Sequence, residues 1–300
     1  MKKLYMQLKG GLGNQLYIVA TGLSLSRSLG IKLVLDRSFF NSYKLQNVTV
    51  DNFLNDLDIK DMSLKINNIN VFDFKRKFFH TIKESKIGYD ELILKKIKKK
   101  NNLFDFYLIG YFQSLNYFKN SLGVLKKEIN ENILKKFPEL KSKKVKEILD
   151  NSIAIHIRRK DKISDINKKI YGNICREQII KIVESIYKKN EYKYLLLIGD
   201  DFQFIKDLQK KLVSKFNALC SFSINTNPSI EFDFYYLMNS KGLIIGNSSF
   251  GLWAGYLSNS KKIYYPNPLF PKPLHHSIKS LSKSDIILDE WKAYNVVYDV

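Results

Sequence analysis

Residues Ile153-Ala154-Ile155-His156-Ile157 alternate with a period of two. That period belongs to a strand, with Ile153, Ile155 and Ile157 on one face and Ala154, His156 and Arg158 on the other. Apolar runs bounded by polar turns predict further strands at residues 4–8, 31–35, 107–111, 194–198, 242–245 and 261–265, with a weaker one near Leu219. The strand at 261–265 closes the sheet in this reading, and Pro266 ends it. Helical spacing fills the intervals. Leu16, Val19, Ala20 and Leu23 mark a helix that Gly30 stops. Others are expected at 122–134, 145–149, 175–187, 202–213 and 231–239, and through Trp253 and Leu257. From residue 150 onward strands and helices alternate, which predicts a doubly wound α/β half. The N-terminal strand, glycine turn, helix and strand open a similar one.

Pro138 and the lysines after it mark a boundary, so two domains are expected at 1–150 and 151–300. With 45% hydrophobic residues the chain can bury two cores. No apolar run approaches the ~20 residues of a membrane helix. Met1-Lys2-Lys3 leads straight into a strand, so no signal peptide is expected. Cys175 and Cys220 have no metal spacing and read as thiols of a reducing cytoplasm.

The formal charge of +21 attracts nucleic acid, anionic membrane surfaces or phosphorylated small molecules. Lysines cluster at 95–100 and 141–146 and far outnumber arginines, without an aromatic-basic RNA-binding pattern. Solvated surface and attraction to an anionic membrane both fit this; nucleic acid fits less well.

The candidate chemistry gathers at strand ends, where open α/β sheets bind ligands. Arg158 and Arg159 suit phosphate, because guanidinium forks match its oxygens in pairs; a solvated basic strand end is the alternative. Asn247-Ser248-Ser249-Phe250 joins a strand to a helix, where free N–H groups and hydroxyls make an anion site or an ordinary serine cap. Together these features favour a nucleotide diphosphate. Asp200-Asp201 is an alternative metal site, disfavoured because two arginines already supply positive charge. Gly10-Gly11-Leu12-Gly13-Asn14-Gln15, with Asp36 at a plausible ribose position, falls short of a dinucleotide fingerprint, since Leu16 stands where the third glycine belongs.

The run His156-Ile157-Arg158-Arg159-Lys160-Asp161 resembles the H-x-R-R-x-D motif of α-1,2-, α-1,6- and protein O-fucosyltransferases. Gly10 to Leu16 matches the N-terminal G-G-L-G-N-Q-L/M signature of glycosyltransferase family 11, the α-1,2-fucosyltransferases. Asn247 to Trp253 is similar to that family's N-S-S-F-S-W-W segment, and Asp233 matches an acidic position before it. Lys160 and Lys162 depart from the usual glycine and tyrosine, and Gly251 and Leu252 from serine and tryptophan. These departures bear on the acceptor and the linkage.

The resemblance implies an α/β fold of GT-B type, two Rossmann-like domains facing across a cleft. It implies metal-independent, inverting transfer of L-fucose from GDP-β-L-fucose to a hydroxyl, galactose O2 being the expected one, with no cofactor. The C-terminal half would hold the donor and the N-terminal half would help bind the acceptor. Arg158 would neutralise the departing β-phosphate, assisted by Ser248, Ser249 and the Phe250 amide. His156 would contact ribose or diphosphate, and Asp233 would accept from guanine N1 and N2. Gly13 and Asn14 would approach the donor from the other domain. Asp161 and Asp165 are the candidate bases, and Asp161 alternatively holds Arg159 in place. The implied acceptor is an oligosaccharide or lipid-linked glycan of surface polysaccharide, and the implied location is cytoplasmic, peripheral to the inner membrane face. Another GDP-sugar transferase of this fold, a different fucosyl linkage, and a non-catalytic nucleic-acid-binding protein are the competing classes.

Overall fold

The computed structural model describes residues 2–42, 46–62, 65–66, 69–70, 79–99, 105–159, 172–188, 191–216, 219–222, 229–271 and 282–299. The chain divides into two α/β units, Met1–Ile129 with Ser280–Ile287, and Asn130–Lys279 with Leu288–Val300.

In the first unit, strands β1 (Lys3–Gln7), β2 (Lys32–Asp36), β3 (Ile59–Lys60), β6 (Phe79–Lys83) and β7 (Asp105–Ile109) form a parallel sheet in the order β3-β2-β1-β7-β6. Two short strands, β4 (Lys65–Ile66) and β5 (Ile69–Asn70), pair antiparallel by themselves. Helix α1 (Leu12–Leu29) joins β1 to β2, and α2 (Glu91–Lys99) joins β6 to β7. Leu12, Leu16, Tyr17, Val19 and Ala20 of α1 are all buried. Gly30 ends α1 at φ 63°, and its N–H returns to the Ser26 carbonyl.

Asp36 closes β2 and is fully buried. Its carboxylate accepts the Ser38 N–H (2.9 Å), the Ser38 hydroxyl (2.8 Å), the Met62 N–H (3.2 Å) and the Tyr107 hydroxyl. Four donors and no exposure make it a structural knot, which agrees with the incomplete dinucleotide fingerprint before it. The segment Ser280–Ile287 joins this unit through Asp285, which accepts the Ser114 hydroxyl at 2.6 Å and the Tyr89 N–H at 3.1 Å.

In the second unit, strands β8 (Ser152–Ile157), β9 (Tyr194–Gly199), β10 (Leu219–Phe222), β11 (Gly242–Ile244), β12 (Lys262–Asn267) and β13 (Lys292–Asn295) form a parallel sheet in the order β10-β9-β8-β11-β12-β13. Helix α3 (Leu122–Lys136) runs across the division between the units. It is followed by α4 (Lys143–Asp150), α5 (Arg176–Ile186), α6 (Phe202–Phe216), α7 (Ile230–Asn239) and α8 (Ser249–Tyr256). The isoleucine face of β8 packs with Ile179, Ile182 and Val183 of α5 and Leu208 and Leu212 of α6. Each such side chain contributes about 1.5–3 kcal/mol on burial. A one-residue register slip would exchange that face for Ala154 and His156, so the register of β8 is tightly fixed.

The closing strand differs from the sequence expectation. Pro266 lies inside β12, and β13 pairs outside it, with Pro266 opposite Tyr294. Proline has no N–H to donate, but the strand's remaining groups suffice to carry a second neighbour.

Candidate active site

The order of the second sheet places β9 and β10 on one side of β8, and β11, β12 and β13 on the other. The chain therefore reverses direction of growth between β8 and β11, and the ends of these two strands form the crevice where such sheets bind ligands. A pocket at these strand ends is lined by His156, Arg158 and Arg159 from β8, Gly246 and Asn247 after β11, and Tyr294, with isoleucines of the β8–α5 core forming its apolar wall.

The two arginines differ in their surroundings. The Arg159 Nε lies 3.3 Å from Asp201 Oδ2, and its Nη1 donates to the Ile174 carbonyl at 3.2 Å. Its guanidinium sits 3.9 Å from the centre of the Phe204 ring, so a carboxylate, a carbonyl and a cation–π contact all fix it. The Arg158 Nε lies 3.1 Å from Asp200 Oδ2, and its side chain remains 37% exposed against 20% for Arg159. Asp200 Oδ1 accepts the Arg159 backbone N–H at 2.7 Å. One aspartate thus holds the turn and the guanidinium next to it. Asp200 and Asp201, weighed from sequence as a metal pair, serve here as the partners of the two arginines. The partnership follows from the sheet order, which sets the end of β9 beside the end of β8.

His156 is buried, and its ring lies 5.3 Å from that of Phe250. Phe250 in turn meets Phe234 of α7 at 5.1 Å. The fit between β8 and α8 is close. A Cβ on Gly251 would come within 2.7 Å of His156 Nδ1, closer than real Cβ contacts allow. Glycine at 251, one of the departures from the family pattern, is the residue that gives this imidazole its room.

Ser248 caps α8, its hydroxyl accepting the Gly251 N–H at 3.2 Å. The cap reading therefore holds for its acceptor lone pair. The backbone N–H groups of Ser249 and Phe250 follow it as the first helical positions and take no partner among the described residues. They are the orphan donors to which an anion binds. Asp233 is half-buried in the first turn of α7, beside the buried Glu231. Glu231 is paired with Lys136 and accepts the Ser229 hydroxyl at 2.7 Å.

Asp161 and Asp165, the sequence candidates for the base, lie outside the described residues. The alternative that Asp161 anchors Arg159 has a competitor, since Asp201 does so. In the first unit, Gly13 and Asn14 lie in the first turn of α1, Gly13 buried and Asn14 partly so. Asn14 Oδ1 accepts from Gln113 Nε2 at 2.8 Å. The turn's demand for glycine falls on Gly10, at φ +75°, where a Cβ would also meet Asn14 Nδ2 at 2.7 Å.

The parallel sheets and the switch-point crevice with its paired arginines define an α/β protein of the kind that holds an anionic ligand at its strand ends. The chain belongs to glycosyl transferase family 11, whose model matches residues 4–295. It is 29% identical over 275 residues to the α-1,2-colitosyltransferase of Escherichia coli, covering 86% of this chain and 89% of that one. It is 24% identical over 318 residues to the O-antigen biosynthesis glycosyltransferase WbnK of Escherichia coli, covering 96% and 99%. Its fold is similar to that of Arabidopsis thaliana FUT1, solved as a point mutant in complex with GDP, with a TM-score of 0.54, 13% identity, and coverage of 91% of this chain and 72% of that one. Among the described residues no helix is long and apolar enough to cross a membrane.

Proposed function

We propose that this glycosyltransferase transfers L-fucose, with inversion, from GDP-β-L-fucose to a galactose O2 of a surface-polysaccharide glycan, giving an α-1,2 link. The observation that carries the reading is Arg158, paired with Asp200 at the switch point of the second sheet, where Gly246 and Asn247 at the end of β11 also line the crevice. The transition state resembles an oxocarbenium ion leaving a diphosphate, and charge on the β-phosphate is greatest there. The Arg158 guanidinium and the Ser249 and Phe250 N–H groups meet that charge. His156 contacts the ribose or diphosphate, and Asp233 accepts from guanine.

Asp200 and Asp201 are each engaged by an arginine. This supports a reaction that needs no metal, since recruiting either carboxylate to a cation would break an ion pair. The charge of +21 supports reversible attachment to an anionic inner leaflet, where lipid-linked acceptors are built. Protein in the membrane fraction is then released by a salt wash.

One observation favours a second donor. The relative that is 29% identical carries the name colitosyltransferase, so colitose is the competing sugar. Incubation with GDP-fucose and with GDP-colitose, each with a panel of β-galactosides and with EDTA present, separates the two. The proposal expects GDP release, a fucosylated product and an α-1,2 linkage by NMR. Transfer of colitose alone moves the reading to that donor. Loss of turnover in EDTA with recovery on Mn²⁺ ends the metal-independent mechanism.

A further inference from the structure

The stretch from Tyr294 to Asp299, at and beyond the end of β13, touches both walls of the crevice in the second unit. On one wall, the Tyr294 hydroxyl donates to the Ile245 carbonyl at 2.8 Å. Gly246 and Asn247, which line the pocket, follow that carbonyl directly. On the other wall, Asp299 pairs antiparallel with Asn173. The Asn173 N–H donates to the Asp299 carbonyl at 2.9 Å, and the Asp299 N–H donates to the Asn173 carbonyl at 2.8 Å. The next carbonyl along, that of Ile174, is the one that accepts from the Arg159 guanidinium.

The sheet order alone would not bring β13 to the end of β11, because β12 lies between them. Ile245 gives its N–H to the Tyr264 carbonyl of β12, and only a long side chain from β13 reaches past that strand to the Ile245 carbonyl. Tyr294 is buried. Burial raises its pKa, so the hydroxyl stays protonated and keeps donating through the neutral range. The rest of the stretch is anchored beside the end of β12. The Val296 N–H donates to the Asn267 carbonyl at 3.2 Å, and the Tyr298 hydroxyl is shared between the carbonyls of Pro268 at 3.0 Å and Leu269 at 2.9 Å. The opposing backbone is shaped to receive it. Gly172 sits at φ +59°, and a Cβ there would lie 2.8 Å from the Tyr298 Cβ.

We propose that Tyr294 and the Asn173–Asp299 pair are positioning elements of the donor site. They act through the groups they hold: Tyr294 fixes the turn that follows β11, and the backbone pair fixes the Ile174 carbonyl that orients Arg159. The inference rests on donor binding at this crevice, as proposed above. A turn built on glycine and asparagine has many conformations open to it, and settling it beforehand removes that cost from the binding of the diphosphate. A guanidinium whose supporting carbonyl is itself anchored likewise needs little rearrangement when the donor arrives.

The test uses the full chain, with GDP titrated by calorimetry and kinetics on lactose with whichever of the two donors is turned over. All measurements are made well below the Tm of each variant. Tyr294→Phe keeps the ring and removes the hydroxyl, and Asp299→Pro removes one N–H of the backbone pair. Each is expected to weaken GDP binding and to lower kcat by about tenfold, inside the ~10²-fold that a misplacement of about 1 Å can cost. The lactose KM should not change. Val297→Ala, at an exposed position in the same stretch, should behave as wild type. A lower Tm with wild-type GDP affinity and kcat in both variants overturns the proposal and leaves the stretch as sheet structure alone. Normal values in Tyr294→Phe alone remove Tyr294 from it. A raised lactose KM with GDP affinity intact also overturns it. Wild-type protein that binds no GDP ends the parent reading and this one with it.

Discussion

The Arg158 Nε lies 3.1 Å from Asp200 Oδ2, and the same aspartate accepts the Arg159 backbone N–H. The ion pair keeps the guanidinium at the strand end before any ligand arrives, and a cation already in place is what electrostatic stabilisation of a leaving group uses. Arg158→Lys keeps the charge and loses the fork, so kcat should fall by about 10²-fold with a smaller change in donor KM. Asp200→Asn leaves Arg158 intact but removes its counter-charge, and its loss of kcat should be smaller. Steady-state kinetics and thermal unfolding on both variants decide. A near-normal kcat in Arg158→Lys would return Arg158 to a structural role and move the leaving-group contact to Arg159.

The Gly251–His156 contact makes a second prediction. A Cβ added at residue 251 would lie 2.7 Å from Nδ1, so Gly251→Ala must displace the imidazole or the start of α8. Both carry groups that the proposal assigns to the donor diphosphate. Donor affinity should drop by about tenfold, and Gly251→Ser, which restores the serine of the family pattern, should drop it similarly unless the ring finds a new seat. Calorimetry with GDP measures this. Wild-type affinity in both variants would show that His156 has slack and does not set the donor site.

Much of the second unit is legible in the sequence because its face-to-face packing follows simple periods. Ile153, Ile155 and Ile157 meet the helices as alternation demands, and α5, α6 and α7 fall within a residue or a few of their expected limits. The pairing of Arg158 with Asp200 is not legible, since the two follow different strands and nothing in either segment's pattern selects the partner. Strand β13 escapes detection because Lys292-Ala293-Tyr294-Asn295 carries no alternation of its own and buries chiefly Tyr294. Asp36 is legible as well: the incomplete fingerprint argues against a ribose ligand, and Ser38, Met62 and Tyr107 take up its carboxylate instead.

Glu231 links stability to pH. Burial raises its pKa, but the Lys136 ammonium, the Ser229 hydroxyl and its own helix-start N–H outweigh that and hold it below the ordinary 4.5. A folded-state pKa below the unfolded one contributes stability that is present above 4.5 and lost as pH falls through the folded value. Glu231→Gln should therefore lower Tm at neutral pH, by about 2–4 °C if the pair contributes about 1 kcal/mol. The gap between variant and wild type should close as pH drops below that range. A gap that stays constant down to acid pH would assign the loss to packing instead.

Asp285 ties the returning segment to the first unit. It is buried, accepts the Ser114 hydroxyl and the Tyr89 and Ser282 N–H groups, and completes a capping box with Ser282. Asp285→Ala leaves buried donors unsatisfied, at a cost of about 2–4 kcal/mol. The denaturant midpoint of the first unit should fall, with GDP affinity unchanged. An unaltered midpoint would mean that solvent or neighbouring groups satisfy those donors.

Asp233 makes the sharpest statement about nucleotide choice. It sits half-buried in the first turn of α7, next to the Phe234–Phe250 contact that joins α7 to α8. Under the proposed function its carboxylate would accept two hydrogen bonds from guanine N1 and N2, and adenine has no such pair of donors to give. Asp233→Ala should weaken GDP binding by about 1–3 kcal/mol, the scale of hydrogen bonds to a charged group. ADP binding should change little, so the preference for GDP over ADP narrows by the same factor. Asp233→Asn separates charge from shape, because the amide offers one acceptor and one donor where guanine needs two acceptors. It should fall between wild type and alanine in GDP affinity. Calorimetric titration of each variant with GDP and ADP, beside thermal unfolding, measures all three quantities. A fall in Tm with intact GDP selectivity would leave Asp233 as a helix-start carboxylate favoured by the dipole of α7, and guanine recognition would have to come from another residue.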